Sequence, residues 1–146
     1  MTGDAVLNTA KQDGHVPAFA WPVRVYYEDT DLAGVVYYAN YLKFLERART
    51  EWLRGLGVEQ PELVNEHQVV FVVRAINIDY LRPARFDDVL TATVQLENAQ
   101  ASTVNLKQSV VRGTEILVSA KVRLVCVNTL TFRPVRIPAR LVEKLR

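Results

Sequence analysis

The chain has 146 residues, 49% of them hydrophobic and 23% charged, with a formal net charge of +2. That length suits one domain able to bury a core without metal or disulfide support. The small net charge argues against nucleic acid or an anionic membrane as partner. A single cysteine, Cys126, excludes an internal disulfide and fits a reducing compartment.

Residues 1–18 show no periodicity and read as a flexible tail, with Gly14, His15 and Pro17 in it. They lack the basic start and apolar run of a signal peptide. No stretch nears the roughly 20 apolar residues that cross a bilayer. The expectation is a cytoplasmic protein with no integral membrane association, its one folded domain spanning 19–146.

The first element is a strand over 19–27, rich in aromatic and β-branched residues and ended by an acidic cluster and Gly34. A helix follows. Tyr41, Leu42, Phe44, Leu45, Ala48, Trp52 and Leu53 recur at spacings of three and four. Lys43, Arg47, Arg49, Glu51 and Arg54 occupy its other positions, and Gly55 stands as the C-terminal cap. The broad apolar stripe predicts packing against a sheet.

After a loop holding Pro61, strands dominate. The segments 69–80 and 89–96 are β-rich. Val104, Leu106 and Val110 share a face that Gln108 interrupts. Ile116, Val118, Ala120, Val122, Leu124 and Cys126 alternate against Ser119, Lys121 and Arg123, and Gly113 marks a hairpin before them. Pro138 opens a short helix over 139–145. The sum is a two-layer α+β domain, with about five antiparallel strands and one long helix to cover them.

The most unusual local feature is the acidic run Glu28, Asp29 and Asp31, just before a helix start near 38–40. Crowded carboxylates repel one another, and a helix N-terminus offers unpaired N–H groups. A carboxylate beside backbone donors suits acyl transfer: the acid attacks or activates water, and the N–H groups hold the oxyanion. The same acids also suit helix capping or a solvated loop. A calcium loop fits worse, because Ala33 falls on a ligand position and Asn40 where the bidentate Glu belongs.

Other candidates read as ordinary structure. Glu46 sits among Arg47 and Arg49, so ion pairing or exposure accounts for it. His67 precedes a strand and reads as a solvated loop residue. Cys126 reads as core. No Gly-x-Ser-x-Gly elbow is present. Arg82, Arg85, Arg133 and Arg136 suit phosphate contact if the fold brings them to a groove.

The run 23–31, then Gly34-Val35-Val36-Tyr37, Ala39-Asn40-Tyr41-Leu42-Lys43-Phe44 and 46–53, resembles the hotdog-fold acyl-CoA thioesterases. It is most similar to the Tol–Pal-associated branch, related to 4-hydroxybenzoyl-CoA thioesterases. The resemblance continues through 78–85 and Asp87-Asp88, and returns at 133–138. It implies a sheet wrapped around the long helix, with subunits paired as a homodimer or homotetramer and active sites at their interface. It implies Asp31 as catalytic carboxylate and the Tyr38 N–H as the group polarising the thioester carbonyl. Gly34, Val35, Asn40 and Tyr41 would bind substrate. Coenzyme A would be part of the substrate, with no cofactor or metal. Many members of that branch carry His where this chain has Tyr38, and a phenol is no base near neutral pH. The implied mechanism is therefore aspartate plus backbone.

Two other functions share the fold. One is a non-catalytic module binding acyl-CoA or acyl carrier. The other is a dehydratase or isomerase, which relies on a histidine that His15 and His67 are poorly placed to supply.

Overall fold

The computed structural model describes residues 18–146, so the expected tail and His15 lie outside the described residues except for Ala18. Strand β1 spans Phe19–Arg24, β2 Val69–Tyr80, β3 Val89–Gln100, β4 Thr103–Arg112 and β5 Glu115–Asn128. All pair antiparallel, in the order β1-β3-β4-β5-β2. Helix α1, Asn40–Gly55, lies across β1, β3 and β4. A short turn of helix, α2, Gln60–Glu62, runs into a π-helical turn, Leu63–His67, and α3 spans Ala139–Leu145. This is the hotdog arrangement of one sheet on one long helix.

The apolar stripe of α1 decides its orientation. Tyr41, Phe44, Leu45, Ala48, Trp52 and Leu53 are buried and meet Leu90, Ala92, Leu106 and Val110 from the sheet. The stripe also contains Arg49, which the sequence reading sets among the helix's other, polar positions. Its Nη1 donates to Gln108 Oε1 at 2.9 Å. Gln108 Nε2 donates to the carbonyls of Leu45 (3.1 Å) and Thr93 (3.2 Å). The residue that breaks the β4 pattern is therefore an inward amide that joins helix and sheet. Burial lowers the Arg49 pKa from its usual value, and Glu46 opposes that shift. A buried polar group is tolerated when bonded in this way. The pairing fixes α1 on the sheet, and with it the start of the helix.

Several boundaries differ from the sequence expectation. β1 stops at Arg24, and Tyr27–Asp29 forms a single 3₁₀ turn. Asp29 causes this by turning its Oδ2 back to the Tyr26 N–H at 2.8 Å. β3 continues past 96 to Gln100 through a bulge between Leu96 and Asn98. In β5, Ile116 is exposed and Leu117 is fully buried. A register shift between Val110 and Val111 moves that end of the β4–β5 ladder to the opposite face. Gly55 is the last helical residue, whereas Gly57, at φ +81°, is the left-handed stop. Its N–H bonds Arg54, and that of Val58 bonds Leu53. The hairpin at Gly113 and the 139–145 helix fall where expected.

Candidate active site

The acidic run ends in a tight loop between β1 and α1. Asp31 N–H donates to the Val35 carbonyl (2.9 Å), and Gly34 N–H returns to the Asp31 carbonyl (3.0 Å). Gly34 has φ +79°, a conformation side chains disfavour. Asp31 Oδ1 accepts the Ala33 N–H at 2.9 Å, which sets the carboxylate by an Asx turn. No other hydrogen bond to that carboxylate occurs among the described residues, and Asp31 is exposed.

The three acids separate cleanly. Asp29 is buried and used structurally: its Oδ2 closes the 3₁₀ turn, and its carbonyl accepts the Tyr37 N–H (3.0 Å) and Asn40 Nδ2 (2.9 Å). Glu28 is exposed and lines a neighbouring hollow with Arg47. Asp31 is exposed, and its carboxylate is held by the Asx turn to Ala33 on the loop that leads into α1.

That helix start is open. Its N-cap is Ala39, with no side-chain cap. Asn40 N–H donates to the Tyr37 carbonyl at 2.8 Å. Among the described residues, neither the Tyr38 nor the Ala39 N–H has a protein acceptor. An uncapped start costs about 1 kcal/mol and leaves donors and partial positive charge for a ligand.

Aromatic rings surround this corner. Tyr38 meets Tyr37 (4.9 Å) and stands edge-on to Tyr80 (6.0 Å), which meets Tyr41 (5.7 Å). Tyr27 stacks edge-on with Phe86 at 5.7 Å, and both line an open hollow with Thr30, Asp31, Leu32 and Gly34. The Tyr37 phenol is held above its usual pKa, first by hydrogen bonding with Tyr38 and most weakly by the Asp31 carboxylate. Tyr37, Tyr80 and Phe86 escaped the sequence reading. Tyr80 and Phe86 arrive from a distant strand end, and single aromatic residues carry no linear signal.

The residues expected to bind substrate divide into two groups. Gly34 and Val35 shape the acid loop, and Val35 bridges to Arg85. Asn40 ties the helix start to Asp29. Tyr41 is buried, and its hydroxyl accepts the Ala84 N–H at 2.9 Å. It thus supports the corner from beneath. Glu46 is exposed on α1. Of the four arginines, Arg85 lies against the acid loop, whereas Arg82 pairs with Glu115 at 3.3 Å. Arg133 and Arg136 lie beyond the far end of β5. His67 is exposed before β2, while Tyr80 ends that strand, about 40 Å of extended chain later.

Cys126 is buried and its thiol is pushed up to about 11 by burial, as befits a core residue. Among the described residues, no group of three or more His, Cys, Asp or Glu is placed to share a metal ion. No helix there is long and apolar enough to cross a membrane.

The structure sets a five-stranded antiparallel sheet on one long helix, with an exposed carboxylate on the loop before an uncapped helix start. Comparison with known proteins identifies the family. The profile described as the thioesterase-like superfamily matches residues 25–145, and the chain belongs to that family. Over 82% of this chain and 88% of the relative, it is 45% identical to the acyl-CoA thioesterase YbgC of Haemophilus influenzae. A probable thioesterase from Bartonella henselae superposes with TM-score 0.79 at 36% identity, over 83% of this chain and 99% of that one. A 4-hydroxybenzoyl CoA thioesterase mutant complexed with 4-hydroxybenzoyl CoA shares the fold, with TM-score 0.83 at 22% identity over 88% and 99% of the two chains.

Proposed function

We propose that this chain hydrolyses the thioester of a short-chain or aromatic acyl-CoA, with Asp31 as nucleophile or general base and the Tyr38 N–H polarising the carbonyl. The observation that carries the reading is the exposed, Asx-set carboxylate on the loop leading into a helix start whose first donors are uncommitted. The name of the Haemophilus influenzae relative supports the substrate class.

The chemistry follows from those groups. As base, Asp31 takes a proton from water as the oxygen attacks the carbonyl carbon. The C–S bond breaks, and the proton passes to the departing coenzyme A sulfur. As nucleophile, a carboxylate oxygen displaces the thiolate to form a mixed anhydride, which water then opens. In both routes negative charge builds on the carbonyl oxygen, where an N–H donor stabilises it. The two ring groups, Tyr27 with Phe86 and Tyr37 with Tyr38 and Tyr80, favour small or planar acyl groups.

Thiol release across short aliphatic, long aliphatic and aromatic acyl-CoAs tests this reading. Turnover is expected on short or aromatic members. Tight binding of an acyl-CoA with no thiol release from any member would instead identify a binding module.

The working unit in this proposal is a homodimer or homotetramer. β2 ends the sheet order, so its outer edge has no strand partner among the described residues. Val73, Tyr80 and Leu81 are exposed on or just beyond it. Such an edge pairs readily with another chain, and a second copy would cover the open hollow and exclude water. Sedimentation equilibrium at micromolar concentration should give at least two chains. A mass of one chain in an active sample would refute a shared site.

A further inference from the structure

We infer that Arg112 is a positioning residue for Asp31, acting through Asp88 and the segment 83–88. The inference rests on the reading of Asp31 as the catalytic carboxylate.

Arg112 ends β4, far in sequence from the acid loop. Its Nη1 donates to Asp88 Oδ2 at 2.7 Å and to the Pro83 carbonyl at 3.4 Å. Its Nη2 donates to Glu115 Oε1 at 2.7 Å, and Glu115 Oε2 meets Arg82 Nε at 3.3 Å. Asp88 is itself a turn residue. Its Oδ2 accepts the Arg85 N–H at 2.9 Å, and its own N–H donates to the Arg85 carbonyl at 3.1 Å. One carboxylate therefore closes the turn 85–88 and joins it to the β4–β5 hairpin. Burial pushes the Asp88 carboxyl up, but the Arg85 N–H and the Arg112 guanidinium outweigh it and hold the group below its usual pKa.

The segment so held carries the catalytic corner. Ala84 is fully buried, and both of its backbone groups are used. Its N–H donates to the Tyr41 hydroxyl on α1, and its carbonyl accepts the Val36 N–H at 2.9 Å. Val35 bridges to Arg85 in the same strip. Val35 in turn holds the Asp31 N–H, and Val36 bridges to Thr30. A displacement of 83–88 thus reaches Asp31 from one side and the helix start from the other. Those are the two groups whose separation the reaction depends on.

The fold has a second hold on this segment. Val25 N–H donates to the Asp88 carbonyl (2.9 Å), and Asp87 N–H donates to the Val25 carbonyl (3.0 Å). Losing Arg112 therefore frees the segment to shift without releasing it. Its ion pairs are partly exposed, and such pairs add little to global stability. Reaction rates, by contrast, fall steeply with small misplacement of reacting groups.

The test is thiol release from acyl-CoA by the full-length chain, comparing Arg112→Met, Asp88→Asn, their double variant and Asp31→Asn. Arg112→Met and Asp88→Asn should each lower kcat by about 10- to 100-fold with KM changed by roughly twofold at most. The double variant should be no slower than the worse single, because both break one chain of contacts. Circular dichroism should show wild-type folded fractions; if Arg112→Met fails to fold, Arg112→Lys serves in its place. Wild-type kcat in Arg112→Met, a loss confined to KM, or a loss matching the unfolded fraction would each overturn the inference. If Asp31→Asn is inactive while Arg112→Met is fully active, only the positioning role fails. If Asp31→Asn is fully active, the catalytic reading beneath it fails.

Discussion

Asp31→Asn is expected to lower kcat for acyl-CoA hydrolysis by about 10²- to 10⁴-fold, the span typical of losing a positioned acid or base. KM and the folding midpoint should stay near wild type. Asparagine keeps an oxygen in place of Oδ1, so the Asx turn to Ala33 survives. The side chain is exposed, so its replacement leaves no cavity. What disappears is the charge and the lone pair that attacks carbonyl carbon or accepts a water proton. Asp31→Ala removes the Asx turn as well, and should be at least as slow. Steady-state kinetics with circular dichroism on the same samples separates the chemical loss from any structural one.

Tyr38→Pro is expected to cost about 10²- to 10³-fold in kcat, as for removal of one oxyanion-hole donor. Proline deletes the N–H together with the Tyr38 ring, and Tyr38→Ala, which keeps the N–H, measures the loss of the ring alone. Position 38 precedes the first helical residue, Asn40, and its N–H has no protein acceptor among the described residues. The helix therefore loses no internal bond, and proline is tolerated in a first turn. Tyr38→Phe is the control. It keeps the N–H and the ring against Tyr80, and should stay within a few-fold of wild type. A phenol acting directly in the chemistry would instead bring Tyr38→Phe down to the rate of Tyr38→Pro.

The two variants probe different depths of the sequence. The helix was legible because Tyr41, Phe44, Leu45, Ala48, Trp52 and Leu53 share one stripe, and α1 buries all six. The strands were legible by alternation and failed where a bulge intervened, as at Ile116 and Leu117. Arg49 and Gln108 misled for a different cause. Arg49 looks like a solvent-side residue and Gln108 like a break in an apolar face until the two are placed side by side, and 59 positions separate them. Similarly, either Gly55 or Gly57 could end the helix by composition, and only the backbone angle at Gly57 distinguishes them.

The site was legible as chemistry before it was legible as geometry. Three acids before a helix start signalled a reactive corner, but their linear order did not separate them. Resemblance selected Asp31, and the structure tells the three acids apart by burial and contacts. Asp29 is consumed by Tyr26 and the Tyr37–Asn40 contacts, and Glu28 faces the Arg47 side. The supports from Ala84, Asp88 and Arg112 were invisible, since they reach the corner through backbone groups of a segment some fifty residues away.

Tyr38 marks the departure from the histidine common in the similar Tol–Pal-associated branch. In this structure its side chain packs with Tyr37 and Tyr80, while its N–H has no protein acceptor among the described residues. In the proposed function the residue type bears on which acyl group fits, and the backbone N–H on cleavage of the thioester.

The most direct test is a side-by-side measurement of thiol release from one acyl-CoA, at saturation, by folded wild type and folded Asp31→Asn. Steady release by the wild type with a loss of at least about 100-fold in the variant is the predicted result. Equal release from the two would contradict the central claim that Asp31 is the group that opens the thioester.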